Sequence, residues 1–370
     1  MPKVSVIVPV YNVEAYLRAA MDSLIRQTLR DIEIVCINDG STDGSLEILK
    51  EYAERDDRIV LVDKENGGYG LAMNIGLDRA TGEYVGILEP DDFVGLTMYE
   101  DLYEAAKEND LDIVKADFWK FVTDEQKETE TYTYAHLARN PEDYNTVFKP
   151  LNRKASFFYI MNTWSGIYRL SFLRDKKIRH QETPGAAFQD NGFWFQTFIY
   201  AERVMILDKP LYRVRRDNPN SSVYNPAKVY AANVEYDFIR GILKKNPKIW
   251  ERTKDVYWRK RYHNYDATQK RIAPACIPEY RRQAGKELKW ALKRGEFSQQ
   301  DFPAGEWNNV QAMIRGQSEP GKGSDMPTKK DIEAENELAL IMNSRSYRLG
   351  RMLTAIPRKI RSLLRRGQHE

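Results

Sequence analysis

Short apolar runs alternate with segments of helical periodicity through residues 1–120. Five β-branched runs have the character of buried strands: KVSVIVPV, IEIVCI, RIVLV, EYVGIL and LDIVKADF. The segments between them carry apolar residues every three to four positions, as Leu17, Ala20 and Leu24 do in VEAYLRAAMDSLIRQ. Strands that are apolar throughout and alternate with helices are typical of a parallel sheet covered on both faces. The pattern predicts an α/β fold with a mostly parallel central sheet.

Four polar turns connect these strands to the helices that follow them. They read VPVYNVEAY (residues 8–16), INDGSTDGS (37–45), DKENGGYGLAMN (63–74) and EPDD (89–92). Each alone has an ordinary structural interpretation, since Asp, Ser and Thr cap helices and carboxylates suit a helix N-terminus. The glycine-rich turn is neither a Walker loop nor a GxGxxG dinucleotide turn. Because ligands bind outside the carboxyl ends of strands in such sheets, four polar turns in order predict a ligand site at that edge.

Composition narrows the class of protein. The 370 residues include 57 basic and 54 acidic side chains, for a net charge of +3, and two cysteines, Cys36 and Cys276, that make no disulfide framework. The four histidines have no metal-ligand spacing. No apolar run approaches the roughly 18 residues of a membrane span, and the N-terminal run is too short and too β-branched for a signal peptide. We therefore expect a soluble, cytoplasmic protein.

The runs and turns, taken in their order and spacing, resemble the successive blocks of family 2 inverting glycosyltransferases with the GT-A fold. The resemblance is continuous over residues 1–120 and resumes at ETPGAAFQDNGFW and YRVRRDNPNSS. It is a likeness to bacterial enzymes of cell-surface polysaccharide synthesis. It implies transfer of a sugar from a UDP-sugar to a hydroxyl of a glycan or lipid-linked acceptor, with inversion, to give a β-glycoside.

The resemblance also implies a donor site. Its residues would be Pro9, Tyr11, Asp39, Asn66, Gly67, Asn74, Glu89 and Asp91. Pro9 and Tyr11 match positions that line the nucleoside pocket, where a tyrosine ring can stack on uracil. Asp39 matches a carboxylate that accepts a hydrogen bond from the base, and the N–H of uracil is its natural partner.

A metal site is implied at the EPDD turn. Asp91 and Asp92 match the metal motif of these enzymes, and Glu89 would support them. Carboxylate oxygens suit Mg²⁺ or Mn²⁺, and diphosphate oxygens would complete the coordination. The cation would neutralise the charge that develops on departing UDP. The residues alone leave open a solvated charge run at a helix start.

The acceptor side rests on two candidates. Asp190, in AAFQDNGFWFQTF, matches the base that takes the proton of the acceptor hydroxyl. The acidic pair of the family reads Gln189-Asp190 here, so one acid is missing, and an N-cap role for Asp190 is the alternative. Trp164 is a candidate for stacking on an acceptor sugar, and a core position is equally consistent with it.

A second departure from the family is Met73, where relatives often carry Arg. Residues 212–222, YRVRRDNPNSS, are expected to supply the missing positive charge as a flexible lid over the diphosphate. Arg213, Arg215, Ser221 and Ser222 would form that lid. A basic surface loop is the alternative.

Five parts make up the predicted organisation. They are a nucleotide-sugar-binding half (residues 1–120), an acceptor-binding half (121–222), a helical C-terminal domain (223–317), a linker (318–330) and a basic amphipathic tail (331–370). From Arg345 to Arg366 the tail has eight basic residues and no acidic one, with an apolar face at helical spacing. Such a helix indicates peripheral docking at the inner face of the plasma membrane. Packing on its own domain and a contact in a homo-oligomer are alternatives, and the regular apolar face disfavours nucleic acid.

Two other classes of protein compete with a transferase. A nucleotidyltransferase would carry a glycine-rich first turn, which VPVYNVEAY is not. A non-catalytic scaffold that binds a UDP-sugar or a membrane stays open because of Met73 and Gln189. The three aspartates Asp91, Asp92 and Asp190 argue against it.

Overall fold

The computed structural model describes residues 1–124, 129–186, 188–221 and 225–316. Within these ranges the strands are β1 (Val4–Val10), β2 (Ile32–Asp39), β3 (Ile59–Lys64), β4 (Tyr84–Ile87), β5 (Phe93–Val94), β6 (Ile113–Asp124), β7 (Thr129–Ala135), β8 (Gly166–Arg169) and β9 (Val204–Arg215). The α-helices are α1 (Glu14–Ile25), α2 (Ser45–Arg55), α3 (Tyr69–Arg79), α4 (Met98–Glu108), α5 (Leu170–Asp175), α6 (Gln189–Tyr200), α7 (Ala231–Lys244), α8 (Pro247–Arg271), α9 (Ile277–Lys293) and α10 (Ala304–Ile314). The predicted lid residue Ser222, the linker and the basic tail lie outside the described residues.

The strands of the described ranges form a single sheet. Its order is β3-β2-β1-β4-β8-β6-β9-β5, and β7 pairs with β6. β1 is parallel to β2 and β4, and β2 is parallel to β3. β8 is antiparallel to both β4 and β6, so β6 runs in the same direction as the first four strands. The predicted α/β fold with a mostly parallel sheet is confirmed, and β8 is an antiparallel insertion that no local pattern indicated.

Parallel register brings the ends of the early strands to one edge of the sheet. Val10 of β1 pairs with Asn38 of β2, one residue before Asp39. β4 pairs with the other side of β1, so the EPDD turn that follows β4 lies at this same edge. β5 then returns antiparallel to β9 and pairs Phe93 with Arg213. Turns that are far apart in the sequence therefore meet in space.

The two larger hydrophobic cores are joined by one helix. The first core lies between the sheet and its flanking helices, and every residue of β1 is buried because both faces of that strand are covered. The second core unites α7 to α10 with Trp194, Phe195 and Phe198 of α6. Because Phe193 of α6 belongs to the first core, α6 has one side in each. The predicted helical C-terminal region is present and packs directly on the helix that carries Asp190.

The longest of these C-terminal helices, α8, has a clear start signal. The side chain of Asn246 accepts from the backbone amides of Lys248 and Ile249 at 3.1 and 3.3 Å, and Pro247 occupies the first helical position.

In the part of the chain that the structure describes, neither α8 nor any other helix has the length and apolarity needed to cross a bilayer.

Candidate active site

Asp39, at the end of β2, holds the glycine-rich turn that precedes α3. The backbone amides of Gly67 and Gly68 donate to its carboxylate at 2.8 and 2.9 Å. The turn comes so close that a Cβ on Gly40, whose φ is +71°, would lie 2.6 Å from the backbone nitrogen of Asn66. Asp39 is only 4% exposed. A base contact by Asp39 would share a carboxylate that already organises this turn, and that contact stays a prediction.

The first two turns are linked to each other. Asn12, with φ +52°, accepts from the backbone amide of Thr42 at 2.7 Å. Tyr11, beside it, is 48% exposed, whereas Pro9 is buried within β1. The ring of Tyr11 is therefore accessible for stacking, and the nucleoside contacts of Tyr11 and Pro9 stay predictions.

Asp92 is a buried carboxyl at the end of the EPDD turn, with 3% of its surface exposed. The hydroxyl of Tyr212 donates to it at 2.8 Å, and the backbone amide of Arg215 donates at 2.7 Å. Burial, and after it the charge of Asp91, raises the pKa of Asp92 well above its usual range. This carboxyl therefore lies where a positive charge would be strongly favourable.

Glu89 and Asp91 complete the carboxylate group. The hydroxyl of Tyr69 donates to Glu89 at 2.7 Å, and the side-chain amide of Asn218 donates to Asp91 at 2.8 Å. Burial raises the pKa of Glu89 to about 8, with a further contribution from the charge of Asp91. Within the described ranges no Lys, Arg or His side chain forms an ion pair with Glu89, Asp91 or Asp92. Hard oxygen ligands without a counter-charge fit Mg²⁺ or Mn²⁺.

These three carboxylates are not a preformed metal cage. Among the described residues, one group of three potential ligands has all its ligand atoms within 4.8 Å, and it consists of Asp117, His136 and Asp208. Asp117 is fully buried and accepts from the backbone amide of Leu137 at 2.7 Å and the hydroxyl of Tyr144 at 2.9 Å. The carboxylate of Asp117 thus already accepts hydrogen bonds within the protein.

The carboxylates of the EPDD turn do not form such a close group among the described residues. A cation at this turn would therefore need oxygens of a bound diphosphate as well.

Asp190 lies in the first turn of α6. The N-cap position is Phe188, with φ +66° and no capping side-chain hydrogen bond, so the alternative that Asp190 is the N-cap residue is wrong. Burial raises the pKa of Asp190 to about 6. Its charge in turn raises the pKa of Tyr69 and of Glu89, which shows that Asp190 lies within electrostatic reach of the EPDD turn. Its role as base stays a prediction.

Gln189, which replaces the first acid of the family pair, braces the loop before α6. Its side-chain amide donates to the hydroxyl of Thr183 and to the carbonyl of Gly185, both at 2.9 Å. The same carbonyl of Gly185 accepts from the backbone amide of Tyr69 at 3.2 Å. Gln189 thus connects α6 to the start of α3, the helix that carries the hydroxyl bound to Glu89.

Arg213 and Arg215 belong to strand β9 and not to the flexible loop expected from the sequence. β9 continues to Arg215 because it pairs with β5 on one side and β6 on the other. The guanidinium of Arg213 lies 5.8 Å from the ring centroid of Phe93, and that of Arg215 donates to the backbone carbonyl of Asp91 at 3.1 Å. Ser221 lies beyond the end of the strand. Contacts of these residues with a diphosphate stay predictions.

Three further positions have clear packing roles. Trp164 stacks on Tyr212 with ring centroids 4.3 Å apart, so it backs the tyrosine that bonds to Asp92. Asn74 donates to the backbone carbonyl of His180 at 3.0 Å and accepts from its amide at 2.9 Å. Met73 is fully buried in the first core. Acceptor binding by Trp164 and donor binding by Asn74 stay predictions.

Comparison with protein families identifies the family of this chain. Residues 5–194, more than half of the chain, match the model described as glycosyl transferase family 2. The chain belongs to glycosyl transferase family 2. The family membership predicted from the sequence is confirmed.

Individual relatives agree with this assignment. The uncharacterized glycosyltransferase EpsJ of Bacillus subtilis is 37% identical over 228 residues, which is 62% of this chain and 65% of EpsJ. Glycosyltransferase GlyA of Streptococcus pneumoniae is 34% identical over 220 residues, 58% of this chain and 30% of GlyA. The chain therefore spans less than two thirds of either relative. Among solved structures, S. aureus TarS 1–349 in complex with UDP has a TM-score of 0.59 at 18% identity, over 88% of this chain and 95% of that one, which supports the GT-A fold.

In this family 2 glycosyltransferase, sequence reasoning missed the partners of the carboxylates. Tyr69, Tyr212 and Asn218 donate to Glu89, Asp92 and Asp91, respectively. Tyr69 lies in the NGGYG turn, and the other two lie in the YRVRRDN stretch, so each is inside a segment that the sequence singled out. Their roles depend on the pairing of β5 with β9 and on the orientation of α3, which no local pattern encodes.

Proposed function

We propose that this glycosyltransferase moves a sugar from a UDP-sugar to a hydroxyl of a glycan or lipid-linked acceptor in cell-surface polysaccharide synthesis. The observation that carries the proposal is a group of carboxyls: those of the EPDD turn lie at the sheet edge, and Asp190 lies within electrostatic reach of them. Such a transfer requires stabilisation of a departing diphosphate and a base for the acceptor hydroxyl. This group contains a candidate for each requirement.

The donor would occupy the four turns. The exposed ring of Tyr11 would stack on uracil beside Pro9, and Asp39 would accept the N–H of the base. Asn66, Gly67 and Asn74 would line the same site, and Arg213, Arg215, Ser221 and Ser222 would meet the diphosphate. TarS, which shares the fold, was solved with UDP bound, and this supports a uracil nucleotide.

Asp91 and Asp92 would hold Mn²⁺ or Mg²⁺. The raised pKa of Asp92 supports this proposal, because its cause is burial and the neighbouring charge of Asp91, both of which a cation would offset. When bound, the cation would supply electrostatic stabilisation to the negative charge of the leaving UDP.

Asp190 would act on the acceptor. With a pKa of about 6, its carboxylate is ionised at pH 7 and can take the proton of the acceptor hydroxyl. The hydroxyl oxygen forms a bond to the anomeric carbon as the bond from that carbon to the phosphate oxygen breaks. The electron pair of the broken bond leaves with UDP. Attack from the face opposite UDP inverts the configuration, so an α-linked donor gives a β-glycoside, and Trp164 would contact the acceptor sugar.

The basic tail, residues 331–370, would bring the enzyme to lipid-linked acceptors at the inner face of the plasma membrane. Attraction to anionic lipid contributes about 1 kcal/mol for each basic residue near the surface. We expect the full chain to bind anionic liposomes and a truncated protein, residues 1–330, not to bind them. Equal binding by both would rule out the tail as the membrane contact.

The test of the proposed activity is UDP release from a panel of UDP-sugars with Mn²⁺, with and without a chelator. We expect metal-dependent hydrolysis of one donor by the native protein, and none by Asp92→Ala. Calorimetric titration with UDP accompanies the panel, because hydrolysis without the acceptor can be slow. A protein that neither hydrolyses any donor nor binds UDP would contradict the proposal.

A further inference from the structure

Helix α7 of the C-terminal region places a carboxyl against the helix that carries Asp190. Glu235 of α7 is 1% exposed. Its Oε1 accepts from the backbone amide of Gly192, in the first turn of α6, at 2.9 Å. Its Oε2 is buried and has no hydrogen-bond partner among the described residues. Buried polar groups are nearly always paired, so an unpaired carboxyl oxygen beside a candidate catalytic residue calls for an explanation.

The contact is built into the sequence of both helices. A Cβ on Gly192 would lie 2.1 Å from Oε1 of Glu235 and 3.1 Å from the ring of Phe238. Any larger residue at this position would displace Glu235 or separate α6 from α7. The N-cap residue Phe188 makes no capping side-chain hydrogen bond, and Glu235 supplies the amide of Gly192 with an acceptor from a neighbouring helix.

We propose that Glu235 is a positioning residue for Asp190: it holds the first turn of α6 through the amide of Gly192 and places a second buried carboxyl near that of Asp190. This inference rests on the proposed role of Asp190 as base. It makes the helical C-terminal region a structural part of the acceptor side of the site.

The charges around Glu235 support a neutral carboxyl. Burial raises the pKa of Glu235 to about 8, and the charge of Asp190 contributes to this, whereas the hydrogen bond from Gly192 opposes it. The adjacent Tyr236 of α7 stays protonated, because burial raises its pKa well above the usual range. At pH 7 Asp190 is therefore ionised and Glu235 is not. Ionisation of Glu235 above pH 8 would place two negative charges together at the start of α6.

The experiment compares Glu235→Gln, Glu235→Ala and a control, Glu251→Ala, in the full chain. Glu251 lies in α8 with 64% of its side chain exposed and pairs only with Lys254 among the described residues. The amide of Gln keeps the acceptor for Gly192 and cannot ionise, whereas Ala removes both functions. The assay is UDP release from the donor identified by the panel above, as a function of pH, together with melting temperature from pH 5 to pH 8.5.

For Glu235→Ala we expect kcat to fall about tenfold or more at an unchanged KM for the donor, since donor contacts lie on other elements. For Glu235→Gln we expect kcat within about threefold of native at pH 7 and no decline above pH 8, where the native enzyme loses activity. The Glu251→Ala control should match the native enzyme throughout.

The melting series tests Glu235 without activity. Unfolding releases the proton of a carboxyl whose folded pKa is raised, so native stability falls as pH rises from about 4.5 to 8. The melting temperature of Glu235→Gln should therefore exceed that of the native protein by an amount that grows over this range, to at least about 3 °C.

Three outcomes would overturn the inference: a folded Glu235→Ala with native kcat, a Glu235→Gln as impaired as Glu235→Ala, or a melting difference independent of pH. Failure of the proposed function has a different signature. An Asp190→Asn variant that keeps its activity would show that Asp190 is not the base. The melting series would still report whether Glu235 is neutral in the folded protein.

Discussion

The proposed donor side and the proposed acceptor side of the site are built in different ways. On the donor side, Asp39 ends strand β2 and Asp92 follows strand β4, and parallel register brings them to one edge. On the acceptor side, Asp190 lies in the first turn of α6, and Glu235 holds that turn although it is 43 positions from its partner Gly192. The donor side therefore takes its geometry from the sheet, whereas the acceptor side takes it from the packing of the C-terminal helices on α6.

The largest expected effect separates chemistry from binding on the acceptor side. Asp190→Asn keeps the shape of the side chain and removes its ability to take a proton, so transfer should fall by about 10³-fold. Because UDP would be held by the turns of the donor side, its affinity should stay within about twofold of native in calorimetry. Asp175→Asn, an exposed carboxylate at the end of α5, is the matched control. A large loss of UDP affinity in Asp190→Asn would show that the two sides are not separable.

The next effect tests how the sheet edge holds the donor turns. Gly40→Ala should destabilise the protein by at least about 2 kcal/mol, since φ is +71° and the new methyl group would meet the backbone of Asn66 at 2.6 Å. It should also weaken UDP binding, because the turn displaced is the one that Asp39 organises. Urea unfolding and calorimetry measure the two effects.

Gly241→Ala provides the opposite case for the same substitution. Gly241 lies within α7, and nothing lies within 4 Å of its added Cβ. Alanine is favoured in a helix interior by about 1 kcal/mol, so this variant should be more stable than native. A Gly40→Ala protein as stable as Gly241→Ala would contradict the close approach of the turn.

The pH dependence of kcat reports on the acceptor side. A base must be deprotonated to work, and burial raises the pKa of Asp190 to about 6. Activity should therefore rise with pH, be half-maximal near pH 6, and be about tenfold lower at pH 5 than at its plateau. A pH series of UDP release at saturating donor measures this. Activity that is flat from pH 5 to pH 7 would exclude a base with this pKa.

The same contrast between the sheet edge and the packing of the C-terminal helices explains which features could be predicted from the sequence. The alternation of apolar runs predicted the parallel part of the sheet, and the turns predicted Asp39, Asp91 and Asp92 at one edge, because both depend on local pattern and on parallel pairing. Residues 212–215 were interpreted as a loop, because the partner strands β5 and β6 that extend β9 lie about a hundred positions earlier in the chain. Glu235 was not found at all. A single Glu in an amphipathic helix carries no signal until packing shows that its carboxyl meets the amide of Gly192.

The smallest expected effect concerns the connection between Asp92 and β9. The hydroxyl of Tyr212 donates to Asp92 at 2.8 Å and accepts from the backbone amide of Glu89 at 3.1 Å, so Tyr212→Phe leaves the carboxyl of Asp92 and the amide of Glu89 with one partner fewer each. We expect a loss of about 1 kcal/mol in the free energy of unfolding. Tyr99→Phe is the matched control, because the hydroxyl of Tyr99 is buried without a partner in the described ranges and its removal should be neutral or stabilising. Since Trp164 stacks on Tyr212, the ring itself stays supported in Tyr212→Phe, and urea unfolding isolates the hydroxyl. Equal stability of the two variants would mean that the sheet holds Asp92 without Tyr212, and the donor side would then depend on the register of β4 and β5 alone.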